Sequence, residues 1–385
     1  GPLAGVRVLD LGVVIAGPFG PCILANLGAD VIKVEPLDGD ISRPYGLGFV
    51  GYNQGKRAIA VDLKRPEGKQ AFLDLAREAD VVVDNFRPGV RERLGIDFES
   101  IRRLNPRIIS CSVSGYGLEG PLAEDPGFDP LLQALGGLMD AQGGDDEPVF
   151  HQIPVNDTGS GMMAAFGILA ALNARERTGL GQEVRTSLAS QTVVFQSGEL
   201  TQYRGRPAPP RGGRDFPGTS ALRRFYRCAD DWLAVAATKP EHFQSLAVAL
   251  GHPEWAGRYV AEHALVEAGD GPLATAIAET FEAMERGEAV ERLLARGVPC
   301  APAMRPAELF EDPWGMANEH IWNFEHPQFG RMSAVRGFAR FSRTPGGWRR
   351  RAPLLGEHTV EVFEEWGLGA GRARKLVDAA VMHQA

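Results

Sequence analysis

One carboxylate has a position in the chain that suits chemistry. Asp157 directly precedes TGSGMMAAFGILAALNARER (158–177), a stretch that is apolar on nearly every face before it turns basic. This pattern predicts a buried helix that ends at Gly179, with Asp157 just before its first turn. An aspartate immediately before a helix is a common N-cap. The helix dipole also stabilises a charged carboxylate there, so a catalytic role is compatible with the same position.

A second motif is glycine-rich. SGYGLEG (114–120) contains the dinucleotide-binding pattern G-x-G-x-x-G and follows an expected strand. That pattern should open a helix whose N-terminus holds a pyrophosphate, but Pro121 and a polar loop follow here. The first turn after a strand, GVVIAG (12–17), also has the wrong glycine spacing. We therefore interpret SGYGLEG as a structural or substrate-lining turn, and a dinucleotide oxidoreductase is disfavoured.

Basic side chains are concentrated in three stretches. LKRPEGK (63–69) and NFRPGVRERLG (85–95) place Lys64, Arg91 and Arg93 where they could bind phosphates, although solvated surface charge is the alternative. RGRPAPPRGGRDFPG (204–218) cannot form a regular element and is interpreted as a linker. Its arginines could bind a carboxylate or simply belong to a charged connector.

Composition excludes several classes of protein. A formal net charge of −8 argues against a general nucleic-acid binder. No run approaches the roughly 18 apolar residues of a membrane helix, and the start has no signal-peptide pattern, so the cytoplasm is the expected compartment. The 4 cysteines include no Cys-x-x-Cys pair and the 8 histidines show no metal-binding spacing, so no metal site is expected.

The elements that position these residues follow an alternating pattern. Strands are expected at 6–11, 30–34, 57–63, 81–83 and 107–113, and helices at 18–27 and 66–79. Strands that alternate with helices predict the α/β class with a parallel sheet covered on both faces. Beyond the linker, strands within 224–237 and helices near 242–250, 273–284 and 288–296 predict a smaller α+β domain. The expected domains are 1–203, a linker at 204–221, 222–328, and a segment at 329–385 that returns to the first.

Several of these stretches, taken in order, resemble the family III CoA-transferases, a group that includes formyl-CoA:oxalate transferase, carnitine CoA-transferase and 2-methylacyl-CoA racemases. The matching blocks are PLAGVRVLDLG (2–12), AGPF (16–19), LGADVIKVEP (27–36), GKRAIAVDLKRPEGK (55–69), DNFRPG (84–89), SGYG (114–117), ILAALNARERTGLGQ (168–182) and PLLGEHT (353–359). They cover nearly the whole chain.

The resemblance implies a Rossmann-like large domain assembled from both chain ends, with the small domain inserted between them, in an interlaced homodimer. It implies coenzyme A as a substrate, no tightly bound cofactor, and contacts to coenzyme A from Val14, Ala16, Lys64, Asn85, Phe86, Arg93 and Tyr116. The substrate-binding candidates are Ile15, Gly212, Gly213 and Arg214. The position of Asp157 matches that of the nucleophilic aspartate of the transferases.

The mechanism implied for such an enzyme is covalent. Asp157 would form a mixed anhydride with the acyl group and then an aspartyl-CoA thioester, and the acceptor acid would reverse these steps. Exchange of one acid for another preserves the thioester, so neither ATP nor a metal is needed. Backbone N–H groups near Gly159 or in the glycine-rich linker are candidates to stabilise the oxyanion.

Alternatives to a transferase remain. The racemases resembled here carry a Gly-His-Asp segment, whereas this chain has Phe128 between Gly127 and Asp129, and Lys239 stands where a racemase glutamate falls. Both differences weigh against proton transfer at a substrate α-carbon. Ile15 replaces a glutamine of the oxalate-using enzymes, which favours a dicarboxylic or branched acid over oxalate. A non-catalytic subunit of a heteromeric transferase is the third alternative.

Overall fold

The chain forms two compact units. The computed structural model describes residues 1–209, 211–213, 215–267, 269–335, 339–347 and 350–385. The first unit comprises Gly1–Asp140, Val149–Arg206 and Trp314–Ala385, and the second comprises Ala141–Pro148 and Pro207–Pro313. These limits differ from those expected for a small domain at 222–328, and the domain assignment itself stays a prediction.

A seven-stranded sheet forms the centre of the first unit. Six strands run parallel to one another: β1 (Arg7–Asp10), β2 (Asp30–Glu35), β3 (Arg57–Val61), β4 (Val81–Asp84), β5 (Ile109–Ser114) and β6 (Glu183–Ser187). Their spatial order is β3-β2-β1-β4-β5-β6, which is the Rossmann order. The α/β class and the parallel sheet expected from the sequence are therefore confirmed.

Helices pack on both faces of this sheet. The α-helices that precede residue 201 are α1 (Ala16–Asn26), α2 (Leu47–Tyr52), α3 (Pro66–Glu78), α4 (Val90–Leu94), α5 (Phe98–Arg102), α6 (Asp129–Leu135), α7 (Leu138–Gly143), α8 (Val155–Thr178), α9 (Leu188–Phe195) and α10 (Ser197–Leu200). Alternate residues of β1 point to opposite faces, so Val8 joins the core beneath α1 and α8 while Leu9 joins the core beneath α3. Burial on both faces explains the short apolar runs within β1, β3 and β4.

The second unit is a separate α+β body. Its elements are β7 (Gly218–Ser220), β8 (Arg223–Arg227), β9 (Trp232–Ala236), α11 (Pro240–Ala249), α12 (Trp255–Arg258), α13 (Ala261–Ala264), α14 (Pro272–Glu282), α15 (Arg286–Leu294), β10 (Cys300–Pro302) and α16 (Pro306–Leu309). The strands form an antiparallel sheet in the order β10-β9-β8-β7. Tyr226 and Phe281 lie in its core with their ring centroids 5.3 Å apart.

The C-terminal part of the chain completes the first unit. It contains α17 (Pro313–Ala317), the hairpin of β11 (Ile321–His326) and β12 (Gly330–Val335), α18 (Thr359–Glu365), α19 (Ala370–Asp378) and β13 (Met382–His383). Strand β13 pairs antiparallel with β3 at the edge of the large sheet. Val362 and Phe363 of α18 are fully buried against the same face as Leu9. The C-terminal segment thus returns to the first unit because it shares the hydrophobic core of that unit.

Two features are absent from the described ranges, a membrane-spanning helix and a cluster of metal ligands. None of the helices there combines the length and the apolar character that a bilayer crossing requires. The histidine, cysteine, aspartate and glutamate side chains of those ranges form no group of three or more that could hold a metal ion.

Candidate active site

The strand order reverses between β1 and β4, and the loops after these strands meet there. In open parallel sheets, ligands bind outside the carboxyl ends of the strands at such a switch point. The loop after β1 (11–15) leads into α1, and the loop after β4 begins with Asn85. The Asn85 Oδ1 accepts from the Val13 N–H at 2.8 Å, and its Nδ2 donates to the Val13 carbonyl at 3.0 Å. One amide side chain therefore joins the two loops.

The loop after β1 has a strained backbone. Val14 has a φ of 65°, which is rare for a β-branched residue and carries a steric cost. Gly17, in the first turn of α1, gives Asn85 the space to lie against this loop, because a Cβ there would stand 2.7 Å from the Asn85 Oδ1. The Asn85 side chain thus holds Val13, the residue directly before the strained Val14, and needs a glycine at position 17 to do so.

Two buried ammonium groups support the same loop from beneath. The Lys56 Nζ lies 2.7 Å from Asp10 Oδ2 and 2.8 Å from the Pro18 carbonyl, and both side chains are fully buried. The Lys33 Nζ lies 2.7 Å from Asp40 Oδ2 and also contacts the Gly12 carbonyl. Burial alone would raise the pKa of Asp40, but Lys33 and two hydrogen bonds from Ser42 hold it below its ordinary value.

Replacing Asn85 by alanine is expected to lower kcat/KM about tenfold, because the loss of two hydrogen bonds worth roughly 1 kcal/mol each releases Val13 and lets Val14 relax. Steady-state kinetics would measure this effect. Asn105→Ala is the matched control. The Asn105 Nδ2 donates to the Ala79 carbonyl at 2.8 Å, and both residues lie at the amino ends of the strands, opposite to the switch point. An equal loss of kcat/KM in both variants would contradict a role for the Asn85 bridge.

Asp157 reaches the switch point because α1 and α8 pack closely. Their crossing uses glycine on both sides: a Cβ on Gly161 would lie 2.8 Å from the Phe19 Cβ, and one on Gly20 would lie 2.9 Å from the Gly161 carbonyl oxygen. Larger residues would push the helices apart. The close contact brings the first turn of α8, with Asp157, next to Ile15 and Ala16 at the start of α1.

The structure corrects the expected cap. Helix α8 begins at Val155, so Asp157 lies within its first turn, and the N-cap position is Pro154, whose side chain caps nothing. Instead, Asp129 Oδ2 accepts from the backbone N–H groups of Asn156 at 2.7 Å and Asp157 at 2.9 Å. The cap therefore comes from a residue 28 positions earlier in the chain. This arrangement leaves the Asp157 carboxylate free for chemistry.

The environment of Asp157 favours its neutral form. Burial, and secondarily the negative charge of Asp129, raise the pKa of Asp157 from 3.8 to about 7. The charge of Asp157 acts on its own neighbour in turn: burial and then Asp157 raise the pKa of Tyr52. A carboxyl group with a pKa near neutrality is typical of a functional site, and it is partly ionised at physiological pH.

Two adjoining cavities open at this place. The switch-point cavity, of about 370 Å³, is lined by the loop after β1, the loop after β4, the 123–128 loop and Asp157. The β2–β3 cavity, of about 410 Å³, is lined mainly by residues after β2 and β3, among them Lys64. Val13 and Phe86 line both, so the two cavities share a wall. Together they form an extended site that starts at the Asp157 carboxylate.

The structure brings most of the expected residues to this site. The residues that line one or both cavities are Val14, Ile15, Ala16, Lys64, Asn85, Phe86 and Asp157. Arg93 and Tyr116 line neither cavity: the Arg93 guanidinium lies beside Gly89, and Tyr116 packs near Gly127 against the core that contains Val113. Arg91 is occupied as well, because it contacts Glu183 at 2.8 Å and Asp84 at 3.4 Å and so ties α4 to the sheet.

The glycine-rich candidates lie elsewhere in the chain. Gly212 and Gly213 belong to the second unit, where the Gly212 N–H donates to the Ala141 carbonyl at 2.7 Å. A Cβ on Gly212 would stand 2.1 Å from the Gln142 carbonyl oxygen, so this glycine permits close contact between two backbone segments. Arg214 lies outside the described residues. Gly159 packs against the Phe195 ring.

Sequence reasoning missed Arg87 and Tyr52 as site residues. Arg87 lines the switch-point cavity directly after Asn85 and Phe86, and it is exposed. Its position within the NFRPG stretch was a usable signal, but the arginines predicted to bind phosphates were Arg91 and Arg93, further along the same stretch. Tyr52 lies on α2 within electrostatic range of Asp157. No local pattern identifies it, because that proximity arises only in the folded chain.

A Rossmann-like sheet with a carboxylate and an extended cavity at its switch point is the arrangement in which α/β proteins bind nucleotide-bearing ligands. The chain belongs to CoA-transferase family III, whose model matches residues 3–359. It is 35% identical over 396 residues to the succinyl-CoA:mesaconate CoA-transferase of Haloarcula hispanica, covering 97% of this chain and 98% of that protein. It is 33% identical to the succinyl-CoA–L-malate CoA-transferase beta subunit of Chloroflexus aurantiacus, with 94% of both chains covered.

The fold comparison agrees. A CAIB/BAIF family protein from Brucella suis superposes with a TM-score of 0.84 at 31% identity, and the match covers 95% of this chain and 99% of that protein. The chain is thus an acyl-CoA:carboxylate CoA-transferase with coenzyme A as part of its substrate. The resemblance to this family seen in the sequence is confirmed.

Proposed function

We propose that the enzyme transfers coenzyme A through covalent intermediates on Asp157. The observation that carries this proposal is the placement of a carboxylate with a pKa of about 7 on the wall of the switch-point cavity. Asp129 accepts hydrogen bonds from the N–H groups of Asn156 and Asp157 in the first turn of α8. The carboxylate oxygens of Asp157 are therefore not needed to cap the helix. Such a carboxylate is suited to attack an electrophilic carbonyl.

The steps balance without another reagent. The Asp157 carboxylate attacks the acyl-CoA carbonyl, the C–S bond breaks, and a mixed anhydride and a coenzyme A thiolate result. The thiolate attacks the Asp157 carbonyl, which releases the first carboxylic acid and leaves an aspartyl-CoA thioester. The acceptor carboxylate then attacks the carbonyl of this thioester, the C–S bond breaks, and a second mixed anhydride and the thiolate result. The thiolate attacks the acceptor carbonyl of that anhydride, which gives the new acyl-CoA and releases the Asp157 carboxylate. We propose that no tightly bound cofactor takes part.

Coenzyme A has a place along the two adjoining cavities. The thioester must reach Asp157 in the switch-point cavity, and the shared wall formed by Val13 and Phe86 leads to the β2–β3 cavity. Arg87 in the first cavity and Lys64 in the second are exposed cations suited to phosphate groups. Apolar side chains at the start of α1, Ile15 and Ala16, would then face the acyl group.

The double variant Lys64→Ala/Arg87→Ala is expected to raise KM for the acyl-CoA about tenfold and to change kcat little, because exposed phosphate contacts bind ground state and transition state alike. Kinetics at low and high ionic strength would check it: the difference between variant and wild type should shrink in salt. Lys375→Ala in α19, outside both cavities, is the control. A lower kcat at unchanged KM would contradict this placement.

The proposed substrates are dicarboxylic acids. The two relatives compared above are named for succinyl-CoA with mesaconate or L-malate, which are all dicarboxylic or derived from dicarboxylic acids. Ile15 in the cavity wall makes the site less suited to an acid as small as oxalate. A branched monocarboxylic acid is the remaining alternative.

A substrate panel tests the function. The purified protein is incubated with succinyl-CoA and other acyl-CoA esters together with dicarboxylic and branched acids, and the acyl-CoA products are separated by mass. Exchange with dicarboxylic acids is the expected result. Turnover only with formyl-CoA and oxalate would overturn the substrate assignment, and solvent deuterium at the α-carbon of a 2-methylacyl-CoA without exchange would replace it by a racemase. Phe128, which lines the cavity and has no ionisable group, speaks against that outcome.

The Chloroflexus aurantiacus relative is named as a beta subunit. The same panel must therefore be run on this chain alone, to test whether it acts without a second kind of subunit. We propose that the chain forms the interlaced homodimer that its family resemblance implies. Exposed apolar side chains on α8 and α9, including Met162, Phe166, Val193 and Val194, are available to such an interface. Light scattering would show a mass of two chains. Activity only with a sister chain would favour a heteromeric enzyme.

The cytoplasmic location expected from the sequence is also a proposal, and cell fractionation would test it.

A further inference from the structure

Two side chains of α6 hold the segment that carries Asp157, and we call them the α6 clamp. Asp129 is 4% exposed and Gln133 is fully buried. The Gln133 Nε2 donates to Asp129 Oδ1 and to the His151 carbonyl at 3.1 Å, while its Oε1 accepts from the His151 N–H at 3.0 Å. The clamp therefore fixes the chain both before α8 and at its first turn.

We propose that Asp129 is a positioning residue that sets the orientation of Asp157 and, through its negative charge, favours the covalently acylated form of that carboxylate. This inference rests on the proposed function, since it concerns the same nucleophile. It adds a second carboxylate whose task is to act through Asp157 and never on the substrate.

The positioning part follows from the hydrogen bonds. Helix α8 has no side-chain cap of its own, so its N–H groups at Asn156 and Asp157 depend on Asp129 Oδ2. Hydrogen bonds to an ionised acceptor are stronger than neutral ones and restrict orientation. Gln133 in turn fixes the rotation of the Asp129 carboxylate. A shift of the clamp would move the Asp157 oxygens relative to the cavity.

The charge part follows from what acylation does. A free Asp157 carboxylate carries a negative charge close to that of Asp129, and the anhydride and the thioester carry none. Formation of either intermediate thus removes a repulsion between like charges, just as protonation does. The same interaction contributes to the pKa of about 7 at Asp157.

The other groups around Asp157 do not supply this effect. Tyr52 on α2 is neutral at physiological pH, since burial and Asp157 raise its pKa above the ordinary value of 10.0. Helix α1 offers only the thiol of Cys22, whose pKa is raised to about 11 by burial, and α9 has no charged residue. Asp125 and Arg87 line the same cavity, with opposite charges. Asp129 is the group whose charge acts on Asp157 most strongly after burial itself.

Asp129→Asn removes the charge, while its amide oxygen can still accept from the two N–H groups of α8. Its Nδ2 cannot accept from the Gln133 Nε2, so Gln133→Leu is needed as the control for that lost bond. The acidic limb of the pH profile of kcat/KM is expected near 7 in the wild type and at a lower pH in the variant. The aspartyl-CoA thioester isolated after acid quench, at equal substrate, should fall about tenfold for each unit by which the pKa drops. An unchanged limb and an unchanged yield of thioester would overturn the proposal.

Two further variants complete the design. Gln133→Leu keeps the Asp129 charge and releases its orientation, so kcat should fall about tenfold with KM for the acyl-CoA unchanged and with the limb still near 7. Should Asp129→Asn fail to fold, this split between kcat and KM decides the positioning claim, and an unchanged kcat would overturn it. Asp97→Asn is the control for removing the charge of a capping carboxylate while its amide oxygen can still cap, since Asp97 Oδ1 accepts from the Ser100 N–H at 3.0 Å in α5, and its limb should match the wild type.

The outcome also distinguishes this inference from the proposed function. Absence of any adduct on Asp157 in the wild-type enzyme would overturn the covalent mechanism and, with it, the role of the clamp. A wild-type adduct with normal exchange, combined with Asp129→Asn behaviour identical to wild type, would overturn the clamp alone.

Discussion

Asp157→Asn should abolish CoA exchange, with a loss of kcat of at least about 10³-fold, because an amide cannot form the anhydride or the thioester and no other step bypasses them. The side chain keeps its shape, and the cap of α8 by Asp129 uses only backbone groups of Asn156 and Asp157. The loss should therefore be chemical. Wild type and variant are mixed with succinyl-CoA, quenched in acid and digested, and the peptide containing position 157 is weighed.

The expected wild-type peptide carries the mass of coenzyme A, or becomes a hydroxamate after hydroxylamine, and the variant peptide carries neither. Circular dichroism checks that the Asp157→Asn variant is folded. The Asp97→Asn control, which removes a carboxylate elsewhere, should leave the exchange rate intact. An adduct on a different side chain, or an Asp157→Asn enzyme that still exchanges at a tenth of the wild-type rate, would move the nucleophile away from Asp157.

The elements of the large unit were predictable because their signals are local. Buried parallel strands such as β3 are continuous apolar runs, and a proline opens α3 where a first-turn proline is tolerated. Gly179, with a φ of 73°, ends α8 as expected for a left-handed cap. The position of Asp157 at the start of a buried helix was visible for the same reason.

What failed depends on contacts between distant parts of the chain. The cap of α8 was assigned to Asp157 because nothing near it in sequence competes, whereas Asp129 provides it across 28 positions. Arg91 was a phosphate candidate, yet Glu183 lies 92 positions away and pairs with it. A local pattern carries the type of a side chain but not the partner that neutralises it, so the availability of a charge can be determined only in the fold.

The strained loop shows the same division. The residues GVVIAG mark a turn between β1 and α1, but no rule of composition places a valine at a φ of 65°. The loop is held by the Asn85 bridge to Val13 and by two buried ammonium groups, one from β2 and one from the residue directly before β3. Their cost in desolvation is compatible with a site that must hold its loop in one conformation.

The second large effect concerns stability, because a carboxylate held in this environment destabilises the fold. Asp157 has a pKa of about 7 in the folded chain, against roughly 3.9 for an unfolded aspartate. The folded state therefore binds the proton more tightly, and stability falls as pH rises from about 4 to 7 and stays low above 7. Asp157→Asn removes the titrating group, and at pH 8.5 it should stabilise the protein by up to about 4 kcal/mol.

The same linkage gives a gain of only about 2 kcal/mol at pH 5.5, where nearly all of the folded wild-type protein still holds the Asp157 proton and only deprotonation of the unfolded chain lowers stability. Urea unfolding of both proteins at the two pH values measures the difference, with Asp97→Asn as a control whose effect has the opposite sign, since the hydrogen bonds from Ser100 hold the pKa of Asp97 below its ordinary value despite some burial. A gain from Asp157→Asn that is equal at pH 5.5 and 8.5 would mean that Asp157 is ionised at both. The repulsion from Asp129 would then be too weak to favour acylation, so the stability measurement also bears on the α6 clamp.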